Sequence, residues 1–304
     1  GPGSIERDVF PKVATGGKVL LEGRKGILLD NVNNEIANLH AYNKTSGDIV
    51  IKNKTSLNLV DNNGNGFAIR NNAGGGDVNV TTSSGDLIVR GTINTKTGAV
   101  NLDSAGETQL GNNITTNSGA ITFSDNIILI VDDISIASNG GDIDFQGAVN
   151  ADDESNIRNL ELTADGGDIN FGDEIGDDEK LDNVVITNAK DVIFKAVNLD
   201  GKLEQEEGTG STTIGNSVTT GGIVDLKNNA INVNNLITGN GGVTLTGTIK
   251  LASSISTSGD LIKLDGDITR ISTSGVTLNS SGGDIEITGK LDADDVNATR
   301  NLTI

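Results

Sequence analysis

Apolar and polar residues alternate in short runs along this chain, and each run opens with a small polar residue and one or two glycines. Examples are ATGGKVLLEG (14–23), TSGDIVIKN (45–53), SSGDLIVRG (83–91), NSGAITFSD (117–125), NGGDIDFQG (139–147), DGGDINFGD (165–173) and SGGDIEITG (281–289). A period of two belongs to a half-buried strand. Ile143 and Phe145 face one way and Asp142, Asp144 and Gln146 the other, and Ile169 with Phe171 repeats the arrangement one unit on. Helical spacing of apolar residues is almost absent. A second short strand often follows, as at Leu160-Glu161-Leu162 and Val184-Val185-Ile186, so each unit holds two or three strands with Gly or Asn at the corners.

The runs are copies of one pattern. Residues 138–162, SNGGDIDFQGAVNADDESNIRNLEL, align without a gap on residues 280–304, SSGGDIEITGKLDADDVNATRNLTI. Ala151-Asp152-Asp153 falls on Ala293-Asp294-Asp295, and Arg158-Asn159-Leu160 on Arg300-Asn301-Leu302. Gly98, Gly119 and Gly141 are 21 and 22 residues apart, and elsewhere the spacing drifts between roughly 17 and 30, a range that suits solenoid repeats. An up-and-down sandwich needs matched hairpins and no repeat. The expected fold is therefore all-β, a right-handed parallel β-helix of about 20–25-residue coils. Like residues stack at about 4.8 Å, and Asn and Thr at equivalent corners form hydrogen-bonded ladders. The stretches 151–159 and 201–212 lengthen corners and are expected to protrude as loops. Gly1-Pro2-Gly3-Ser4 reads as the scar of a cleaved purification tag. Residues 5–304 then form a single continuous β-helix fragment of a larger protein.

Composition agrees with this picture. The chain has 41 Gly, 2 Pro, 6 Phe, 1 Tyr and no Trp, Met or Cys, so its apolar mass is Ile, Val, Leu and Ala, which pack well on pleated surfaces. The formal charge of −20, without clustered Lys or Arg, argues against nucleic acid as a partner. No apolar run approaches the roughly 20 residues that span a bilayer. No disulfide framework exists to hold the fold.

The cadence of residues 113–150, LELTADGGDINFGDEIG (160–176) and VVITNAKDVIFKAVN (184–198) resembles the repeats of giant bacterial exoproteins, the filamentous-haemagglutinin-like adhesins. The resemblance runs from about Val13 to Ile304. It implies a rod-like stalk on or released from a bacterial surface, with another cell surface or the extracellular matrix as partner through parts that need not lie in this segment. The fragment itself is expected to be monomeric.

Chemistry-bearing residues have plainer readings beside the functional one. Carboxylates pair at Asp132-Asp133, Asp152-Asp153, Asp177-Asp178 and Asp294-Asp295, and glycoside hydrolysis uses two carboxylates, but adjacent strand residues point oppositely. Asp142 and Asp144 share a side, which is the solvent side of a strand. The acidic corners ADDES and GDEIGDDE offer oxygens to calcium, yet neither the tandem nonapeptide of β-rolls nor the EF-hand loop is present. A solvated acidic face that keeps a rod soluble explains them as well. His40 is the only histidine, so no metal cluster or nucleophile–base pair forms around it, and it is expected at the surface or a corner. Ser and Thr runs such as 81–85 and 254–259 read as turn chemistry. No residue is nominated as catalytic, cofactor-binding or metal-ligating, and no cofactor is implied. The expected role is a structural or adhesive stalk, not an enzyme. The alternatives are a polysaccharide-acting β-helix enzyme and a calcium-dependent surface-layer or matrix module.

Overall fold

Every apolar residue assigned to the inner side of a run needs a partner level, because a two- or three-residue strand buries nothing by itself. The computed structural model describes residues 8–9 and 12–304 apart from 65, 154, 273 and 298; the tag residues 1–4 lie outside it. Thirty-six short strands and no helix are found among the described residues, and every strand pairing is parallel. Following the register from strand to strand gives one unbroken column from Asp8 through Ile27, Ile49, Val78, Val100, Ile121, Ile143 and Ile169 to Leu291. It covers 283 residues in thirteen steps of 18 to 29, about 22 each. At about 4.8 Å per step the stack rises roughly 60 Å. The fold is the expected parallel β-helix.

Three faces enclose the core. The first carries the column just described. The second carries Leu57, Leu87, Thr108, Ile127, Val149, Ile175 and their successors to Leu278. The third carries Ile136, Leu162, Ile186, Gln205, Leu226, Leu245 and Leu264. Burial alternates as the pattern demands: Ile143 and Phe145 are buried and Asp144 between them is not. On the first face Phe123, Phe145, Phe171 and Phe194 stack with centroids 5.0, 5.0 and 5.3 Å apart and ring planes within 12°. The coil repeat imposes this near-parallel arrangement, in which rings have the same neighbours above and below.

The two copies of the 25-residue pattern do not lie on the same faces. Ile143 of the first copy is on the first face, whereas Ile285 of the second pairs with Ile262 in the column that holds Leu160 and Val184, the third face. From Ile143 the column takes six steps to Ile268, and Ile285 follows two faces later. Like residues therefore stack within stretches of the rod, and one third of a turn separates its two halves. The four levels from Val192 to Ile268 are short, 18 to 20 residues, so the same length of chain travels further around the axis.

Of the stretch 151–159, expected to protrude, Ala151 and Asn159 belong to strands and residues 152–153 and 155–158 leave the stack as a loop. Residues 201–212 do not: Leu203–Gly208 and Ser211–Ile214 are strands. Their period-two alternation continues through Leu203 and Gln205, and Gln205 enters the core, where its side chain accepts from the Thr212 hydroxyl at 2.5 Å while Asn228 donates to that hydroxyl oxygen at 3.1 Å. A second polar intruder, Arg270, occupies an inward position above Leu251 and is 2% exposed. Its guanidinium donates to the carbonyls of Leu251, Ser274 and Asn301 rather than to a carboxylate.

Candidate functional site

The residues that make the repeat recognisable are spent on its corners. A hydroxyl three positions before a glycine donates to that residue's carbonyl: Thr95 to Gly98 at 2.6 Å, Ser138 to Gly141 at 2.5 Å, Ser280 to Gly283 at 2.5 Å, and Thr116 to Gly119. The aspartate of GGDI caps the level above. Asp142 accepts from the Asp168 amide at 2.9 Å, Asp168 from Asp191 at 3.2 Å and Asp191 from Ser211 at 2.7 Å. Glycine permits the levels to close on one another. A Cβ on Gly98 would lie 1.9 Å from the Gly76 oxygen, on Gly119 2.0 Å from that of Gly98, and on Gly167 2.0 Å from that of Gly141. An amide ladder joins Asn43 to Asn71 where their strands end, the expected corner stacking, and a second joins Asn79 to Asn101 on the outer side of the first face.

The acidic pair of the ADD loop is divided between two tasks. Arg158 holds Asp152 with both ends of its fork, Nε to Oδ1 at 2.7 Å and Nη2 to Oδ2 at 3.1 Å. It reaches the level below at Asp132, 2.9 Å away. Its own amide donates to Asp182 in the level above at 3.0 Å. Asp153 turns inward on the loop and accepts from the Ser155 amide and hydroxyl at 2.8 and 2.6 Å. The second copy repeats this, with Arg300 on Asp294 at 2.7 Å and Asp295 accepting from the Asn297 amide at 2.9 Å. Here a guanidinium stands where a cation would sit, and no group of three or more His, Cys, Asp or Glu residues among those described could hold a metal ion. The hydrogen bonds and charge of Arg158 hold the Asp152 carboxyl below the usual carboxylate range. Stability from this clasp is therefore present above the ordinary aspartate pKa of about 4 and lost as the pH falls through the lower folded value. Arg158→Ala is expected to cost about 2 kcal/mol and to open residues 152–157 to protease, read by thermal melting and limited proteolysis.

The remaining candidate carboxylates answer to neighbouring levels rather than to each other, except at the GDEIGDDE corner. Asp142 and Asp144 lie on the outer side of the first face, and Asp144 accepts from Asn170 at 2.7 Å. Asp133 accepts from Asn159 at 2.8 Å. The GDEIGDDE corner brings Glu174 beside Asp177, and burial together with that neighbour raises the Glu174 carboxyl. Burial also pushes Asp125 up to about 6, against hydrogen bonds from the Ser104 amide and from Thr108. The folded chain thus holds this proton more tightly than the unfolded one. Stability is expected to rise by about 1–2 kcal/mol as the pH falls from 6 to 4, allowing for partial exposure, and Asp125→Asn should remove that rise in pH-dependent melting.

Two grooves cross the outer side of the third face. One, of about 560 Å3, is lined by Asp133, Asn159, Glu161, Asn183, Lys202 and Glu206. Its amides form a ladder, Asn183 to Asn159 at 2.7 Å and Asn159 to Asp133, and Lys202 is paired with Glu204. The other, of about 410 Å3, surrounds His40, Tyr42, Phe67 and Arg70. His40 is buried at 4% exposure, not at the surface as expected from its isolation in the sequence. Its ring packs 4.7 Å from Phe67 and its Nδ1 lies 3.1 Å from the Phe67 carbonyl, at the start of the strand Phe67–Asn71 that pairs with its own. Desolvation lowers its pKa. The sequence did hold a sign of this region. Residues 1–100 carry 11 Lys and Arg against 9 Asp and Glu, whereas residues 101–304 carry 11 against 33, so the charge of −20 resides wholly in the later levels.

Protein-family models, curated protein sequences and solved structures were compared with the chain, and none matches it.

Proposed function

We propose that this chain is a stretch of β-helical stalk from a large bacterial surface or secreted adhesin, whose role is to extend and present. One observation carries the reading: the residues that define the repeat, its hydroxyls, glycines, aspartates and clasping arginines, are consumed by stacking one level on the next. A sequence selected for chemistry would leave such groups converging on a cleft. The haemagglutinin-like cadence gives the reading its location outside the cell and its partner, another cell surface or matrix. The acidic later levels keep a long rod dispersed. The runner-up, an enzyme acting on polysaccharide, would place its chemistry in the groove near Glu161 and Glu206, where the lysine that could hold an anionic substrate is already paired with Glu204.

Antibody raised to this chain and used on whole cells, membranes and culture medium of the source organism tests the proposal. A species of several hundred kilodaltons on the surface or in the medium is the expected result. A compact protein barely larger than 31.2 kDa would overturn it.

A further inference from the structure

Phe123, Phe145, Phe171 and Phe194 are fully buried, and the large apolar side chains exposed elsewhere on the rod, such as Ile193, Ile223 and Leu236, are aliphatic. The groove over Tyr42 is different. Register places Glu22, Tyr42 and Arg70 side by side on the outer side of three successive levels, with Leu20 and His40 in the adjacent row. Tyr42 is half-buried with the Lys44 ammonium 5.5 Å from its ring centroid, and Leu20 is 52% exposed, so the two line the groove with apolar surface. The Arg70 guanidinium lies 4.6 Å from the Phe67 centroid. Arg70 is exposed and makes no ion pair among the described residues. Hydrogen-bonding groups ring this apolar surface: Asn72 donates to the Tyr42 hydroxyl at 3.0 Å, and Glu22 is held by Lys44 at 2.7 Å.

We propose that this groove binds a carboxylated sugar residue of an acidic polysaccharide, stacked on Tyr42 and Leu20 with its carboxylate on the Arg70 fork. A guanidinium resting over an aromatic ring leaves N–H groups free at its edge, which suits bidentate recognition of a carboxylate. The volume of about 410 Å3 fits one sugar ring, and its open, shallow form lets a polymer pass through. Glu22, held by Lys44, separates this ligand from an acidic peptide: its carboxylate accepts from sugar hydroxyls, which acidic side chains do not offer. Local charge agrees, since the surrounding levels lack the acidic excess of the later ones. The site does not depend on the stalk reading, and a purified chain that fails to bind leaves that reading untouched.

Tyr42 is the only tyrosine and the chain has no tryptophan, so intrinsic fluorescence reports this groove alone. Titration with a trigalacturonate is expected to give a saturable change in that fluorescence, confirmed by calorimetry. The neutral methyl-esterified trimer should bind at least tenfold more weakly. Arg70→Gln should lose at least tenfold in affinity with an unchanged circular dichroism spectrum, and Arg70→Lys, which keeps the charge and loses the fork, should fall between. Absence of calorimetric binding at millimolar trimer, equal affinity for the esterified trimer, or an Arg70→Gln variant that binds like the parent would each overturn the proposal.

Discussion

Gly167→Ala is expected to cost about 3–5 kcal/mol while Gly166→Ala, one residue earlier, changes stability by less than about 0.5 kcal/mol. The two glycines form one GG dipeptide and look equivalent in the sequence. Around Gly166 nothing lies within 4 Å of the position a Cβ would take. At Gly167 that position is 2.0 Å from the oxygen and 2.4 Å from the carbon of Gly141, in the level below. No rotamer change relieves a contact between Cβ and backbone. Relief requires the levels to part, and they are tied together: the Gly140 amide donates to Ala164, while the Gly167 carbonyl accepts from Lys190 in the level above. Chemical denaturation of the two variants gives the comparison directly, and equal stabilities would refute the close-approach account of the repeat glycines.

Phe145→Ala is the second large effect, at about 3–5 kcal/mol. Phe145 is fully buried with a stacked ring 5.0 Å away on either side, so truncation opens a cavity that touches both Phe123 and Phe171. A rod has only nearest-neighbour contacts between levels, so a weak level also uncouples the two sides of the stack. Denaturant unfolding of the variant should broaden or split into two transitions, where a single core would merely shift its midpoint. Phe145→Leu, which fills most of the volume, should cost less than half as much.

Much of this was legible in the residues. Period two placed Ile143 and Phe145 inward, and the spacing of Gly98, Gly119 and Gly141 gave the coil length, because both follow from local backbone geometry. What escaped depends on sums over many levels or on contacts across them. Strings of one pattern at 138–162 and 280–304 fold alike locally, but the face each lands on is set by the accumulated lengths of the intervening turns. The stretch 201–212, rich in Glu and Gly, looked like a loop; yet its alternation already put Gln205 inside, and a polar residue there is tolerated because Thr212 and Asn228 supply partners. The burial of His40 arises from Phe67 in the neighbouring level, and a lone histidine gives no sign of what will cover it. The acidic pairs were visible as candidates; their task was not, since Asp132, Asp152 and Asp182 meet at Arg158 only once three levels are stacked.

The claim beneath all of this is that each level is an interchangeable layer whose purpose is to stack. Removing residues 98–118 tests it most directly, because Gly98 and Gly119 hold the same corner position and their flanking strands pair level to level. The shortened chain is predicted to melt cooperatively with undiminished β-sheet signal per residue in circular dichroism. A deletion of 98–108, half a level, should not fold. An unfolded or aggregated product from the full-level deletion would contradict the account.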